Sequence, residues 1–536
     1  MNNRPLGAHG APGKNPGLYR VSDFSSERVD EESDGRFGRM FVIGEGRTED
    51  GVEKLQPNPL PRYELRRLGA RGGPLEPGKG PGTGKRNSLA PAGITFLGQF
   101  IDHDITLDVQ SKFSSPRINA ALENARTPNL DLDCVYGGGR EASPYLYNTG
   151  GEAWESAKLL EGDSFTGTGR NDLQRNNAGR AIIGDPRNDE NIFVAQVQCA
   201  FIRFHNKCVE HLHGNGLDDD EALFEKARDT TTHYYHRIIL EDFLYRVIGL
   251  DMIQAIATRG RHYYFPNGFD GRKGWPERPF MPVEFSVAAY RYGHSTVRDA
   301  YVVNAGSGNK KLFDAELRGF HPIPASQLCD WDWFFAAQDK TAEQFAHKID
   351  PFLPDPLFQL PDFARGERSL ASRNLMRGRI FRLPSGEAIA KRMIADGVHI
   401  AYGQPMTERD MMGPDTKAPK EIKALQKSLA GEYALPETPL WLYILMEAGT
   451  FGKGFASPAL QEAHETESTG GDRLGPVGGR IVGEVLMGLL DHYRDATGKG
   501  LDYDPDIPDG EGGVQLAGMK FGPRMSMRAL IDFAYT

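Results

Sequence analysis

The sequence predicts a mainly α-helical chain: one large helical domain with long ordered loops, preceded by an extended N-terminal arm. Three observations predict it. Apolar residues recur at helix spacing over 96–108, 187–213, 221–248, 286–298, 386–395, 438–447 and 476–496. Strand-like alternation is scarce, and no segment repeats at a solenoid period. Residues 1–90 instead carry frequent Gly and Pro, as over Gly69 to Gly84, with little periodicity. The arm is therefore assigned to 1–90 and the helical domain to 91–536.

Bulk properties agree with a folded chain. Its 536 residues are 39% hydrophobic and 25% charged, near the usual composition of globular proteins. The formal net charge of −10 argues against a nucleic-acid surface. Cys134, Cys199, Cys208 and Cys329 form no CxxC pair, so they read as buried small hydrophobes. Residues Met1 to Tyr19 lack the apolar stretch of a secretory signal, and no apolar run is long enough to span a bilayer. The expectation is a cytoplasmic protein, or one exported by a non-classical route.

Four segments carry candidate chemistry. In the helical stretch Thr95 to Asp108, Gln99, Asp102 and His103 fall at i, i+3 and i+4 and share a face. Asp104 lies roughly 100° further round and should address a different neighbour, while Phe96, Phe100 and Leu107 supply apolar surroundings. Next, Gly184-Asp-Pro-Arg-Asn-Asp-Glu190 has Asp185 suited to cap a long helix and Pro186 to its first position. Arg187 and Glu190 would then project from nearly one face of its first turn; an ordinary intrahelical ion pair is the plain alternative.

The third segment, Ala288 to Ser295, places His294 beside Gly293, where a flat ligand could approach the backbone closely. A core histidine with a satisfied hydrogen bond is the competing reading. The fourth, Thr127 to Gly137, offers oxygen donors at Thr127, Asn129, Asp131 and Asp133, suited to a hard cation such as calcium or else a solvated acidic loop. It lacks the glycine and terminal glutamate of an EF-hand.

Taken in order, GQFIDHD, GDPRNDE, RYGH and the asparagine segment SRNLMRG resemble the animal haem peroxidases of the peroxidase–cyclooxygenase superfamily, in a bacterial-type form without a signal peptide. The resemblance runs from about Ala92 to Leu490 and includes Gly475-Pro-Val-Gly-Gly-Arg-Ile481 as a helix start. It implies haem b as cofactor, with His103 as distal acid–base residue, Arg187 as distal arginine and Gln99 as distal glutamine. It implies His294 as the iron ligand, Asn374 as its hydrogen-bond partner and Arg291 among the haem-facing residues. Asp102 and Glu190 match carboxylates that form ester bonds to haem in this family. Asp104 with Thr127, Asn129, Asp131 and Asp133 matches its calcium site.

The implied function is oxidation of small donors (bromide, iodide, thiocyanate or phenols) by hydrogen peroxide through an iron-oxo state. Departures narrow it. Asn191 follows Glu190 where the most oxidising relatives carry methionine, which excludes a sulfonium link and makes chloride oxidation doubtful. Arg291 stands where fatty-acid oxygenases of the superfamily have their radical-forming tyrosine, disfavouring that alternative. A haem-binding sensor or carrier is the other alternative. Asn129 and Asp133 replace an aromatic residue and a serine in the calcium loop. His205, and His233 with His236, read as packing residues, since no third metal ligand is evident.

Overall fold

A computed structural model describes residues 37–48, 51, 53–58, 60–77, 87–106, 128–162, 171–266, 279–335, 343–361, 367–398, 419–433, 435–452, 470–498, 515–516, 519–520 and 525–535. The chain is mainly helical, as its apolar spacing predicts. Helices of eight residues or more are α1 (Arg62–Gly69), α2 (Gly93–Ile105), α3 (Ile192–Gly214), α4 (Asp220–Ile238), α5 (Leu250–Arg259), α6 (Leu370–Ile380), α7 (Gly386–Ala395), α8 (Lys420–Ala430), α9 (Leu440–Phe451), α10 (Pro476–Thr497) and α11 (Met527–Tyr535). Among the described residues the strands pair only in twos: β1 (Phe37–Gly38) runs parallel to β3 (Met281–Pro282), β2 (Asn87–Pro91) antiparallel to β6 (Phe345–His347), and β4 (Ala300–Val302) antiparallel to β5 (Asn309–Lys311).

Local chemistry sets the helix starts. Asn191 Oδ1 accepts from Phe193 N and Val194 N at 3.1 and 3.0 Å and opens α3; Asp219 accepts from Ala222 N at 2.8 Å and opens α4. Ser385 caps α7 in the same manner. At α10, Pro476 occupies the first position, and the Glu447 carboxyl of neighbouring α9 accepts from Val477 N and Gly478 N.

Two expected helices differ. The one expected from residue 187 begins at Ile192: Asp185 caps only a four-residue 3-10 turn, Pro186–Asp189, and Asn191 caps the helix that follows. The stretch 286–298 is no regular helix. It passes from a π-turn (Glu284–Ala288) through a 3-10 turn (Ala289–Tyr292) to a short α-turn (Gly293–Thr296). Residues 107 and 108, at the end of the first expected helix, lie outside the described residues.

The core gathers around α2 and α3. Phe100 stacks on Phe201 at 4.7 Å between centroids, and Phe96 on Phe193 at 4.4 Å; all four rings are buried. These contacts lock α2 onto α3 and fix which way its polar face turns. Segments before residue 90 are docked on the body. Met40 N donates to the buried carboxyl of Glu284 at 3.0 Å, Arg39 Nη2 reaches Phe381 O, and Ser372 Oγ donates to Arg66 O in α1 at 3.2 Å. Cys134, Cys199 and Cys208 are buried and Cys329 half-buried, all as free thiols. Among the described residues, no helix is long and apolar enough to cross a membrane.

Candidate active site

A cavity of about 520 Å³ opens between α2 and the Gly293–Thr296 turn. Gln99, Asp102 and His103 of α2 line it, so the expected common face of that helix turns to one space. Glu190, Asn191, Tyr290, Arg291, Gly293 and His294 line it as well, and Ser88, Ala90, Ala346 and His347 from the β2–β6 pair complete one side. Asp104 turns away: its Oδ2 accepts from Leu132 N at 3.3 Å, which ties α2 to the following loop.

On the α2 wall, His103 Nδ1 stands 2.7 Å from Asn188 Oδ1, and the ring is buried. Gln99 Nε2 donates to Glu190 Oε1, while Gln99 Oε1 accepts from Asn191 Nδ2 at 3.2 Å. Thr106 Oγ1 donates to Asp102 at 3.0 Å. Burial holds the Asp102 carboxyl above the usual carboxylate range, against the pull of Arg187 and Arg291.

Arg187 occupies a different place from the one expected of a residue projecting beside Glu190. It is buried and does not line the cavity. Its Nε and Nη2 engage Asp185, at 3.1 and 2.8 Å to the nearer oxygens, and Nη2 also donates to His103 O at 2.8 Å. The carboxylate of the capping residue draws the guanidinium back along its own turn.

On the Gly293–Thr296 turn, burial first, then Arg291 and Arg373, pushes the His294 imidazole down to about 3. The ring is therefore neutral, the form in which histidine ligates a metal. Asn374 of α6, itself buried, brings Nδ2 to 2.9 Å from His294 Nδ1. Its Oδ1 accepts from Arg291 Nη1 at 3.2 Å. The resemblance implies that His294 donates to this amide; here the guanidinium, which can only donate, takes the amide oxygen instead.

The space suits a flat macrocycle by one direct test. A Cβ built on Gly293 would meet no protein atom within 4 Å, so the backbone beside His294 faces open cavity. Two histidines, carboxyls at Asp102 and Glu190 and a cation at Arg291, all lining one cavity, fit a haem carrying iron and carboxylates.

The oxygen-rich loop is assembled in part. Burial, then Asp133 and Asp104, holds the Asp131 carboxyl well above its usual range. Asn129 Oδ1 is buried without a hydrogen-bond partner, and Leu130 and Leu132 take left-handed backbone angles of 50° and 61° in φ. Thr127 lies outside the described residues, and among those described no group of His, Cys, Asp and Glu side chains takes up metal-holding geometry. His236 Nε2 bonds Leu130 O at 2.8 Å and His205 Nε2 bonds Ala157 O at 2.9 Å.

Asn188 and Gln198, behind His103, were not singled out from the sequence. A signal for them existed: Gln196 and Gln198 interrupt the apolar run Ile192 to Phe201, and a glutamine inside such a run needs a buried partner.

Residues 118–389, just over half of the chain, match the family model described as animal haem peroxidase. The chain belongs to the animal haem peroxidase family. Among curated proteins it is 27% identical over 218 residues to a dual oxidase of Drosophila melanogaster, covering 38% of this chain and 13% of that protein. It is also 27% identical over 205 residues to a chorion peroxidase of Aedes aegypti, covering 37% of this chain and 25% of that one. The chain thus spans a quarter or less of these two relatives. Among solved structures, peroxidase A of Dictyostelium discoideum shares the fold with a TM-score of 0.53 at 13% identity, covering 89% of this chain and 94% of that one. A fatty acid alpha-dioxygenase of Oryza sativa does so at 0.52 and 14%, covering 88% and 82%.

Proposed function

We propose that this chain is a haem peroxidase that reduces hydrogen peroxide at a haem b held between His103 and His294. The single observation that carries the reading is the shared cavity, lined by a neutral His294 and by the buried, hydrogen-bonded His103. Family membership supports it. Bound haem would supply the redox centre at which peroxide takes up two electrons and small donors give them back.

The residues divide the remaining work. His294 Nε2 would ligate iron once the Asn374 amide turned its oxygen to Nδ1–H, since an amide N–H donating to Nδ1 puts the proton of the neutral ring on Nε2. Arg291 would meet a haem carboxylate. His103 would take the proton from one peroxide oxygen at Nε2 and return it to the other, which leaves as water. Gln99, held by Glu190 and Asn191, would orient peroxide. Arg187, off the cavity wall, would act by holding the His103 carbonyl and lending positive charge from behind. Asp102 and Glu190 both line the cavity, which supports ester attachment of the haem. Calcium would relieve the crowding of Asp104, Asp131 and Asp133, with Thr127 and Asn129 as neutral donors.

Bromide, iodide, thiocyanate and phenols are the proposed donors; no methionine follows Glu190 to raise the oxidising power further. A fatty-acid oxygenase is the second reading, supported by likeness of fold to alpha-dioxygenases and opposed by Arg291. The absorption spectrum of haem-supplied protein, before and after one equivalent of hydrogen peroxide, tests the proposal. A Soret band that converts and then recovers with iodide or phenol is the expected result. Haem that binds but ignores peroxide would move a sensor or carrier ahead, and oxygen uptake with a polyunsaturated fatty acid would favour the oxygenase.

A further inference from the structure

Behind His103 runs a chain of buried amides that ends on a backbone carbonyl. His103 Nδ1 is 2.7 Å from Asn188 Oδ1. Asn188 Nδ2 donates to Gln198 Oε1 at 2.8 Å, and Gln198 Nε2 donates to Cys134 O at 3.0 Å. Asn188 and Gln198 are fully buried and His103 is nearly so.

The polarity of this chain is decided at its far end. A backbone carbonyl can only accept, so Gln198 must present its NH2 to Cys134 and its oxygen to Asn188. Asn188 must then present NH2 to Gln198, which leaves its oxygen for His103. An amide oxygen can only accept, so the proton of a neutral His103 belongs on Nδ1. Nε2 is left bare.

We propose that Asn188, set by Gln198 and the Cys134 carbonyl, is a positioning residue that fixes the Nδ1–H tautomer of His103 and so makes Nε2 the base toward the cavity. The proposal rests on the peroxide reading above and assigns part of it to residues that touch neither peroxide nor haem. Without the relay the imidazole can carry its proton on Nε2 instead, where it can donate but cannot take the first proton from peroxide. The relay carries no net charge, so it fixes the tautomer of His103 without itself placing an ion beside the ring.

Asn188→Leu removes the acceptor at similar volume, Asn188→Asp keeps an oxygen toward His103 and, as a neutral acid, a donor toward Gln198, and Gln198→Leu breaks the relay one step further back. Two readouts are taken on the full haem-loaded chain: the rate of reaction with hydrogen peroxide by rapid mixing, and 15N NMR of labelled histidines in the ferrous carbon monoxide form. Loss of signals in His103→Ala assigns that ring. The expected result is a protonated Nδ1 and bare Nε2 in the unmodified protein and in Asn188→Asp, with near-unmodified rates. Asn188→Leu should lose that tautomer and slow the peroxide step about 10-fold to 100-fold, the size seen when the outer partner of a metal-ligating histidine is removed. Gln198→Leu should move both readouts in the same direction if Asn188→Leu does not fold.

A slowed rate with an unchanged tautomer would overturn the proposal by making the role merely structural. An unchanged rate in Asn188→Leu, with His103→Ala severely slowed, would overturn it while leaving the peroxidase reading intact. An unchanged rate in His103→Ala would remove both.

Discussion

At the scale of single residues, the site combines groups the sequence names with others that it hides. Gln99, Asp102 and His103 were legible because one helix turn fixes their common face, and all three line the cavity. Arg187 was legible as a residue but not in its direction: helical spacing would send it out beside Glu190, whereas Asp185 and the His103 carbonyl hold it back. Asn188 was not legible as a partner, because its bonds join positions 103, 188, 198 and 134, and no local period links them. The two cavity carboxyls carry a direct expectation. After peroxide turnover, haem should resist solvent extraction from the unmodified protein, and Asp102→Asn together with Glu190→Gln should render it freely extractable. Mass spectrometry that recovers only free haem from the unmodified protein would rule ester attachment out.

At the scale of elements, capping decides more than apolar spacing. The expected helix from residue 187 is really a capped 3-10 turn followed by a second cap, since Asp185 and Asn191 each stop one segment and start the next. Asn191 also holds Gln99, so it links helix start to site. Asn191→Ala should cost about 0.5–2 kcal/mol in denaturant unfolding. Asn191→Asp should keep the cap and hence the stability, yet lose the N–H that Gln99 Oε1 accepts; equal destabilisation by both would contradict the capping role. Helix α6 escaped a reading by apolar spacing for a different reason. Ser372, Arg373, Asn374 and Arg377 are buried polar residues, so its pattern has no apolar stripe to detect. In α7, a Cβ on Gly386 would fall 1.9 Å from Tyr443 Cγ in α9. Gly386→Ala should therefore lower stability by about 1–3 kcal/mol, measured by thermal unfolding; no loss would mean that the two helices can part without penalty.

For the whole molecule, the mainly helical class was readable from spacing and scarcity of alternation, while the way the N-terminal segments lie on the body was not. Such docking depends on pairings such as Met40 with Glu284 and Arg39 with Phe381, hundreds of positions apart. The fold also makes an acid-sensitive body. His205 and His236 are fully buried, each with its ring bonded to a backbone carbonyl, and burial pushes both down to about 4. An unfolded histidine takes up its proton below about 6.5, so from there down to about 4 the unfolded chain binds protons that the folded chain does not. Stability present above that window should fall as pH drops through it, on the order of 3 kcal/mol for each ring. Unfolding midpoints measured from pH 7 to pH 4 should show the decline, and His205→Gln should flatten it; a curve level over that range would contradict neutral burial.

The central claim, that this cavity holds haem with His103 as its base, is tested most directly by rapid mixing of haem-loaded protein with hydrogen peroxide, unmodified against His103→Ala. Both should bind one haem, and the variant should react about 100-fold to 10,000-fold more slowly, the usual contribution of a positioned acid–base group. Equal rates at equal haem loading would contradict it.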